Sequence, residues 1–230
     1  MMRMGYARRD ITPPLGSYMS GYGYYLKRRA ESVLDRLYAR AVAVEQSGER
    51  FLLVCCDLLG LDGATVRAVR AALEGAGWPS GCVMLVCTHT HTGPTVDDTL
   101  EGCGEPNPAY VAGLAEQIIA CALDAAARMA PVKALRLCQR EIDPVGYNRT
   151  DPEGDADNAV RGVLALRRGA PDVALVSYAC HPVTLGRSTQ ISADYPGRVC
   201  AALEARGMEV VFLNGVCGDI DPVTNRTAWG

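Results

Sequence analysis

Lysine is nearly absent from this 230-residue chain, and histidine is almost as scarce, at three residues. Lys27 and Lys133 are the only lysines, arginine supplying the other basic charge, a coding bias that carries no function. The 23 basic residues do not outnumber the 26 acidic ones, so the chain lacks the basic excess that tracks phosphates and nucleic acid is not an expected partner. Aromatics make up only 6% of residues, too few for a base-stacking platform. No uninterrupted apolar run reaches the ~18 residues of a membrane-spanning helix, so no transmembrane segment is expected. Nor does MMRMGYARRDITPP, at the N-terminus, contain the apolar stretch of a secretory signal. What is abundant is apolarity, at 49%, which excludes disorder and supplies a core. The ten cysteines sit mostly in apolar runs, where free thiols behave as small core residues. Without a leader they read as reduced thiols of a cytoplasmic protein.

Hydrophobic periodicity yields an ordered set of elements. Tyr38–Val44 and Phe51–Asp57 read as a hairpin around Gln46-Ser47-Gly48-Glu49. Helical spacing over Asp62–Gly75 stops at Gly75 and Gly77. Cys82–Cys87 reads as a buried strand, and Thr92–Pro108, rich in Gly, Pro, Thr and Asp, as a long loop. A helix over Ala109–Met129 precedes strands over Lys133–Ile142, Gly162–Arg167 and Val173–Ala179. A helix over Tyr195–Arg206, with Asp194 as its cap and Pro196 in its first turn, leads to a last strand, Glu209–Leu213. This order predicts an α/β fold with a mixed, partly parallel sheet and crossover helices. Such sheets bind ligands at the carboxyl ends of their strands. Asp57, His89, His91, His181 and the Asn214–Asp221 loop all follow strands and are therefore expected on one rim.

The histidines are concentrated there. His89 and His91 lie one residue apart in T-H-T-H-T-G-P, and His181 lies in A-C-H-P. In extended chain, residues i and i+2 project to the same side, so both histidines of the pair can face one cavity. Imidazole is the commonest metal ligand, and His-x-His with a distant histidine is a zinc constellation. Two familiar metal-hydrolase patterns fail. Gly93 and Pro94 stand where an H-x-H-x-D-H motif needs Asp and His, and the eightfold β/α repetition of a barrel amidohydrolase is absent. Asp57 is a candidate for steering a ligand histidine or for capping the Asp62 turn, and Cys217 for a thiolate ligand.

A wider set of motifs runs in order through the chain. It comprises G-Y-A-R-R-D-I-T-P-P (Gly5–Pro14), G-Y at Gly21-Tyr22, D-R-L-Y-A-R-A (Asp35–Ala41) and C-D-L-L-G (Cys56–Gly60). T-H-T-H-T-G-P (Thr88–Pro94), Y-N-R (Tyr147–Arg149) and A-C-H-P (Ala179–Pro182) follow. S-A-D-Y-P-G (Ser192–Gly197) and L-N-G-V-C-G-D-I-D-P (Leu213–Pro222) complete it. Together they resemble the N-terminal catalytic part of the neutral/alkaline, non-lysosomal ceramidase family. The resemblance implies a zinc-dependent hydrolase that cleaves the amide of an N-acyl sphingoid lipid. It implies His89 and His181 as zinc ligands, His91 as a residue facing substrate or water, Arg149 as a grip on substrate head or product carboxylate, and Asp219 as part of a loop beside the metal. Asp221 and Pro222 depart from the family's G-D-x-S-P-N loop by placing aspartate where serine is common. The family's further ligands, a glutamate and a tyrosine, come from later in its chain, so the 230 residues are expected to form an incomplete catalytic domain with weak zinc binding and little activity. A related hydrolase of another amide or ester, and a non-catalytic metal- or lipid-binding module, are the alternatives.

Overall fold

The computed structural model describes residues 1–23, 26–97, 103–151 and 153–225. Residues 98–102 of the expected long loop lie outside the described residues. Eight strands form the main sheet: β1 (Arg3–Asp10), β2 (Tyr38–Gln46), β3 (Glu49–Cys56), β4 (Val83–Cys87), β5 (Ala130–Glu141), β6 (Ala159–Arg167), β7 (Val173–Tyr178) and β8 (Glu209–Asn214). Among the described residues three α-helices accompany them: α1 (Gly63–Gly75), α2 (Pro108–Ala127) and α3 (Asp194–Glu204). The strand order is β8-β7-β6-β5-β1-β2-β3-β4. β3 runs parallel to β4 and β7 parallel to β8, and the other pairings are antiparallel. This is the expected mixed α/β fold.

The sheet doubles back on itself. β1 meets β5 only through Arg3↔Pro131 and Met4↔Ala130, and that narrow seam is where the two halves turn. Met4, Tyr6, Val42 and Cys55 of the first half pack against Ala165, Val173 and Val211 of the second. The Cys55 thiol reaches the Phe212 carbonyl at 3.1 Å across that interface. The opposite face of the first half, Ala7, Ala39, Ala41, Leu52 and Val54, carries α1 and α2 through Val69, Leu73, Leu114 and Ile118. The outer face of the second half carries α3 through Val210, Phe212 and Cys200. Helix, sheet, sheet and helix thus form four layers, which explains why β2 is apolar on both faces.

β1 is not among the strands expected from periodicity. Its sequence, RMGYARRD, carries arginines at three of eight positions, which masks the alternation. It is nonetheless central in the sheet, and Gly5 is the reason α2 can lie against it. A Cβ at Gly5 would stand 1.9 Å from the Ala125 carbonyl oxygen. α2 is long and apolar enough to cross a membrane by length and composition. Here its Leu114, Ile118, Cys121, Ala122 and Ala125 are buried on the sheet. All ten cysteines are free thiols.

Asp194 does not cap α3 as expected. It is the first helical residue, at φ 55°, and the N-cap is Ala193. Its carboxylate instead accepts from the Thr184 hydroxyl at 2.8 Å and the Tyr195 amide at 2.7 Å. The Ala193 amide is capped from a distance by Asp35, at 2.8 Å. At α1 the cap is local: Asp62 accepts from Ala64 and Thr65 amides, each at 2.8 Å.

Candidate metal centre

The parallel pairs bring two strand ends to one rim. β4 ends at Cys87 and feeds Thr88–Thr92, and β7 ends at Tyr178 and feeds Ala179–Pro182. Asn214, at the end of β8, joins them: its amide nitrogen donates to the Thr88 carbonyl at 3.0 Å, and its oxygen accepts from the Cys180 amide at 3.4 Å. The His91 amide donates to the Pro182 carbonyl at 3.3 Å, closing the two loops on each other.

The alternation in T-H-T-H-T divides labour between the faces of the segment. Thr90 and Thr92 are buried, and both hydroxyls donate to the Ser192 carbonyl at 2.9 Å. His89 and His91 are left projecting the other way, toward His181. His89 sits at φ 69°, a left-handed conformation uncommon for a residue with a Cβ and a mark of a locally constrained site. Its amide donates to the Leu58 carbonyl and its Nδ1 lies 2.9 Å from the Leu59 carbonyl oxygen. A proton on that nitrogen leaves Nε2 as the free lone pair.

The three rings stand edge to face around one point. Centroids are 5.2 Å apart for His89 and His91, 5.1 Å for His89 and His181, and 5.3 Å for His91 and His181. One ligating nitrogen from each lies within 4.8 Å of the others. Both ring nitrogens of His91, and Nδ1 of His181, are buried without a hydrogen-bond partner. Unpaired buried polar atoms are costly, and these three, on two of the converging rings, are left without a partner. Burial lowers the His91 imidazole to about 3, helped by the neighbouring His89 and His181. Burial, Arg149 and His89 likewise lower His181, with Asp221 opposing them. Both rings are therefore neutral near pH 7, the state that ligates metal.

A second layer holds this centre. Arg28, buried, donates to the carbonyls of His91 at 2.5 Å, Ser20 at 2.8 Å and Ser188 at 2.7 Å, and its guanidinium lies 4.6 Å from the Tyr22 ring centroid. Tyr22 in turn meets the His91 ring edge to face at 5.3 Å. Gly21, at φ 110°, allows this approach, since a Cβ there would sit 2.6 Å from the His91 ring. Arg28 and Tyr22 bear no local signal of this role beyond the G-Y pair, because the contact is made across more than 60 residues.

The remaining candidates border the centre. Arg149 is largely exposed on the rim, and donates to the Gly218 carbonyl at 2.8 Å and to Asp221 at 3.4 Å. Asp219 accepts from the Asn148 amide at 2.9 Å, and its carbonyl accepts from the Arg149 amide at 2.7 Å. Asp221 reaches within 3.7 Å of His181 Nδ1. Cys217 is outside the histidine group; its sulfur accepts from Asn214 at 3.4 Å, and burial raises its thiol. Asp57 neither touches a histidine nor caps the Asp62 turn. It accepts from the Tyr38 amide at 2.9 Å and pairs with the buried Arg40 at 2.6 Å. Burial pushes its carboxyl above the usual range, and Arg40 opposes the rise. A cleft of about 460 Å³ lined by Leu137, Val163, Leu175 and Leu213 lies elsewhere and includes none of the histidines.

Residues 2–105 match the family profile described as neutral/alkaline non-lysosomal ceramidase, N-terminal. That match covers just under half of the chain. A likeness in fold accompanies it. The crystal structure of neutral ceramidase from Pseudomonas aeruginosa superposes with a TM-score of 0.84 at 21% identity, over 100% of this chain and 40% of the ceramidase chain. A structure described as ceramidase complexed with C2 gives 0.83 at 22% identity, over 97% of this chain and 39% of that one. The chain thus spans about 40% of the length of these ceramidases. No curated protein matches it.

Proposed function

We propose that residues 1–230 form the N-terminal catalytic domain of a ceramide-hydrolysing enzyme, and that His89 and His181 hold a zinc ion in it. The observation that carries this reading is the convergence of three imidazoles, two of which, His91 and His181, have buried ring nitrogens without a hydrogen-bond partner. A donor set of imidazoles alone suits zinc, at metal–nitrogen distances of about 2.1 Å. Zinc held there supplies a Lewis acid that polarises a carbonyl and makes water nucleophilic at neutral pH.

The chain's own residues do the rest. His91 sits between the pair and Tyr22, and is placed to hold a substrate oxygen or water or to move a proton. Arg149, anchored on Gly218, presents a guanidinium at the rim that suits an amide-derived oxyanion or the carboxylate of the released acid. Asp219 fixes that loop through Asn148. The substrate class is a lipid amide, an N-acyl sphingoid base.

The test is fatty-acid release from an N-acyl sphingosine by metal-loaded protein, with an N-acyl sugar amide and a fatty-acid ester as competing substrates. Release from the sphingoid amide that disappears on chelation and returns with zinc supports the reading. Turnover that survives full metal removal refutes it, and a preference for the sugar amide or ester moves the substrate class.

A further inference from the structure

The metal reading leaves one charged group unused at the centre. Asp221 is fixed on both sides by backbone. Ile220–Pro222 pairs with Gly146–Asn148 in the register Asp221↔Tyr147, and the His181 amide donates to the Ile220 carbonyl at 2.8 Å. The carboxylate is mostly buried and its Oδ1 lies 3.7 Å from His181 Nδ1, a buried nitrogen with no hydrogen-bond partner. That gap is longer than a hydrogen bond, and side-chain movement has to close it.

We propose that Asp221 is a positioning residue for His181: its carboxylate accepts a hydrogen bond from Nδ1–H and so presents the Nε2 lone pair to the metal. This rests on the zinc reading above. The centre then uses one device twice. At His89 the Leu59 carbonyl, 2.9 Å from Nδ1, selects the tautomer. At His181 a carboxylate does so, which also adds negative charge beside the imidazoles. Arg149 approaches the same carboxylate from the solvent side, at 3.4 Å. The competing view makes Asp221 merely the partner of an exposed arginine, and a surface pair of that kind contributes little.

Two measurements separate these. In the metal-free chain, nitrogen-15 shifts of the histidine rings report the tautomer directly. His181 is expected as the Nδ1–H form, shifting toward Nε2–H in Asp221→Ala. A wild-type ring already in the Nε2–H form overturns the proposal whether or not zinc binds. In a cobalt titration of the full 230-residue chain, Asp221→Ala is expected to weaken affinity about 10–100-fold. Asp221→Asn, whose carbonyl still accepts, is expected to recover most of it, and Arg149→Ala to change it less than threefold. Wild-type affinity in Asp221→Ala, or an equal loss in Arg149→Ala, refutes the positioning role. A wild-type chain that binds no cobalt refutes the zinc reading instead, and the tautomer measurement then decides on Asp221 alone.

Discussion

Replacing Asp57 by asparagine tests how the rim is braced. Asp57 directly follows β3, and its carboxylate meets Arg40 of β2 at 2.6 Å, with side-chain exposures of 2% and 5%. Asparagine keeps the shape and an acceptor for the Tyr38 amide, 2.9 Å away in the native chain, but removes the charge. Arg40 is then left with Glu204 at 3.8 Å, too long for a good hydrogen bond. An uncompensated buried charge costs about 3–5 kcal/mol. The Glu204 contact and the retained amide place Asp57→Asn at the lower end, about 3 kcal/mol, or roughly 6–12 °C in Tm for a chain of this size. Paired urea and thermal melts, followed by far-UV circular dichroism, measure it. The double variant Arg40→Met/Asp57→Leu removes both charges and is expected to regain most of the loss, because two well-packed apolar side chains need no counter-ion. A loss below about 1 kcal/mol in Asp57→Asn would show that water reaches the pair and that the bracing argument is wrong.

Gly5→Ala drives a Cβ to 1.9 Å from the Ala125 oxygen, so α2 must lift from β1, and a loss of about 3 kcal/mol is expected in the same melts. Gly113→Ala, in α2 with nothing within 4 Å of the added carbon, is the contrast and is expected to gain about 0.5–1 kcal/mol. The metal-free chain is expected to lose stability as pH falls below about 6.5, because the unfolded state takes up a proton that buried His91, lowered to about 3, refuses. The slope from this residue reaches about 1.4 kcal/mol per pH unit down to that value, and His91→Asn is expected to remove it in urea melts across the range.

Much of the fold is written locally. The hairpin of β2 and β3, the spacing in α1 and α2 and the apolar runs of β4, β7 and β8 are readable because each pattern is completed within its own segment. β1 escapes because arginines interrupt it and its partners lie 28 or more residues away. The rim position of the histidines is legible from their places after strands, and His-x-His from its spacing alone. What braces them is not. Thr90 and Thr92 reach Ser192 across about a hundred residues, and Arg28 reaches His91 from an unremarkable RR pair. Asp57 shows how a local signal misleads: a carboxylate at a strand end near histidines reads as a steering group, while the buried Arg40 on the neighbouring strand claims it.

Metal titration of the chain tests the central claim most directly, using cobalt or zinc against a competing chelator of known affinity. The account expects one ion per chain, with affinity falling by more than the about 10–100-fold of an outer-sphere change when His89 or His181 becomes alanine. Metal-free melts should show these variants folded. Wild-type affinity in both His89→Ala and His181→Ala would contradict it, since the ion would then be held somewhere other than the three converging imidazoles.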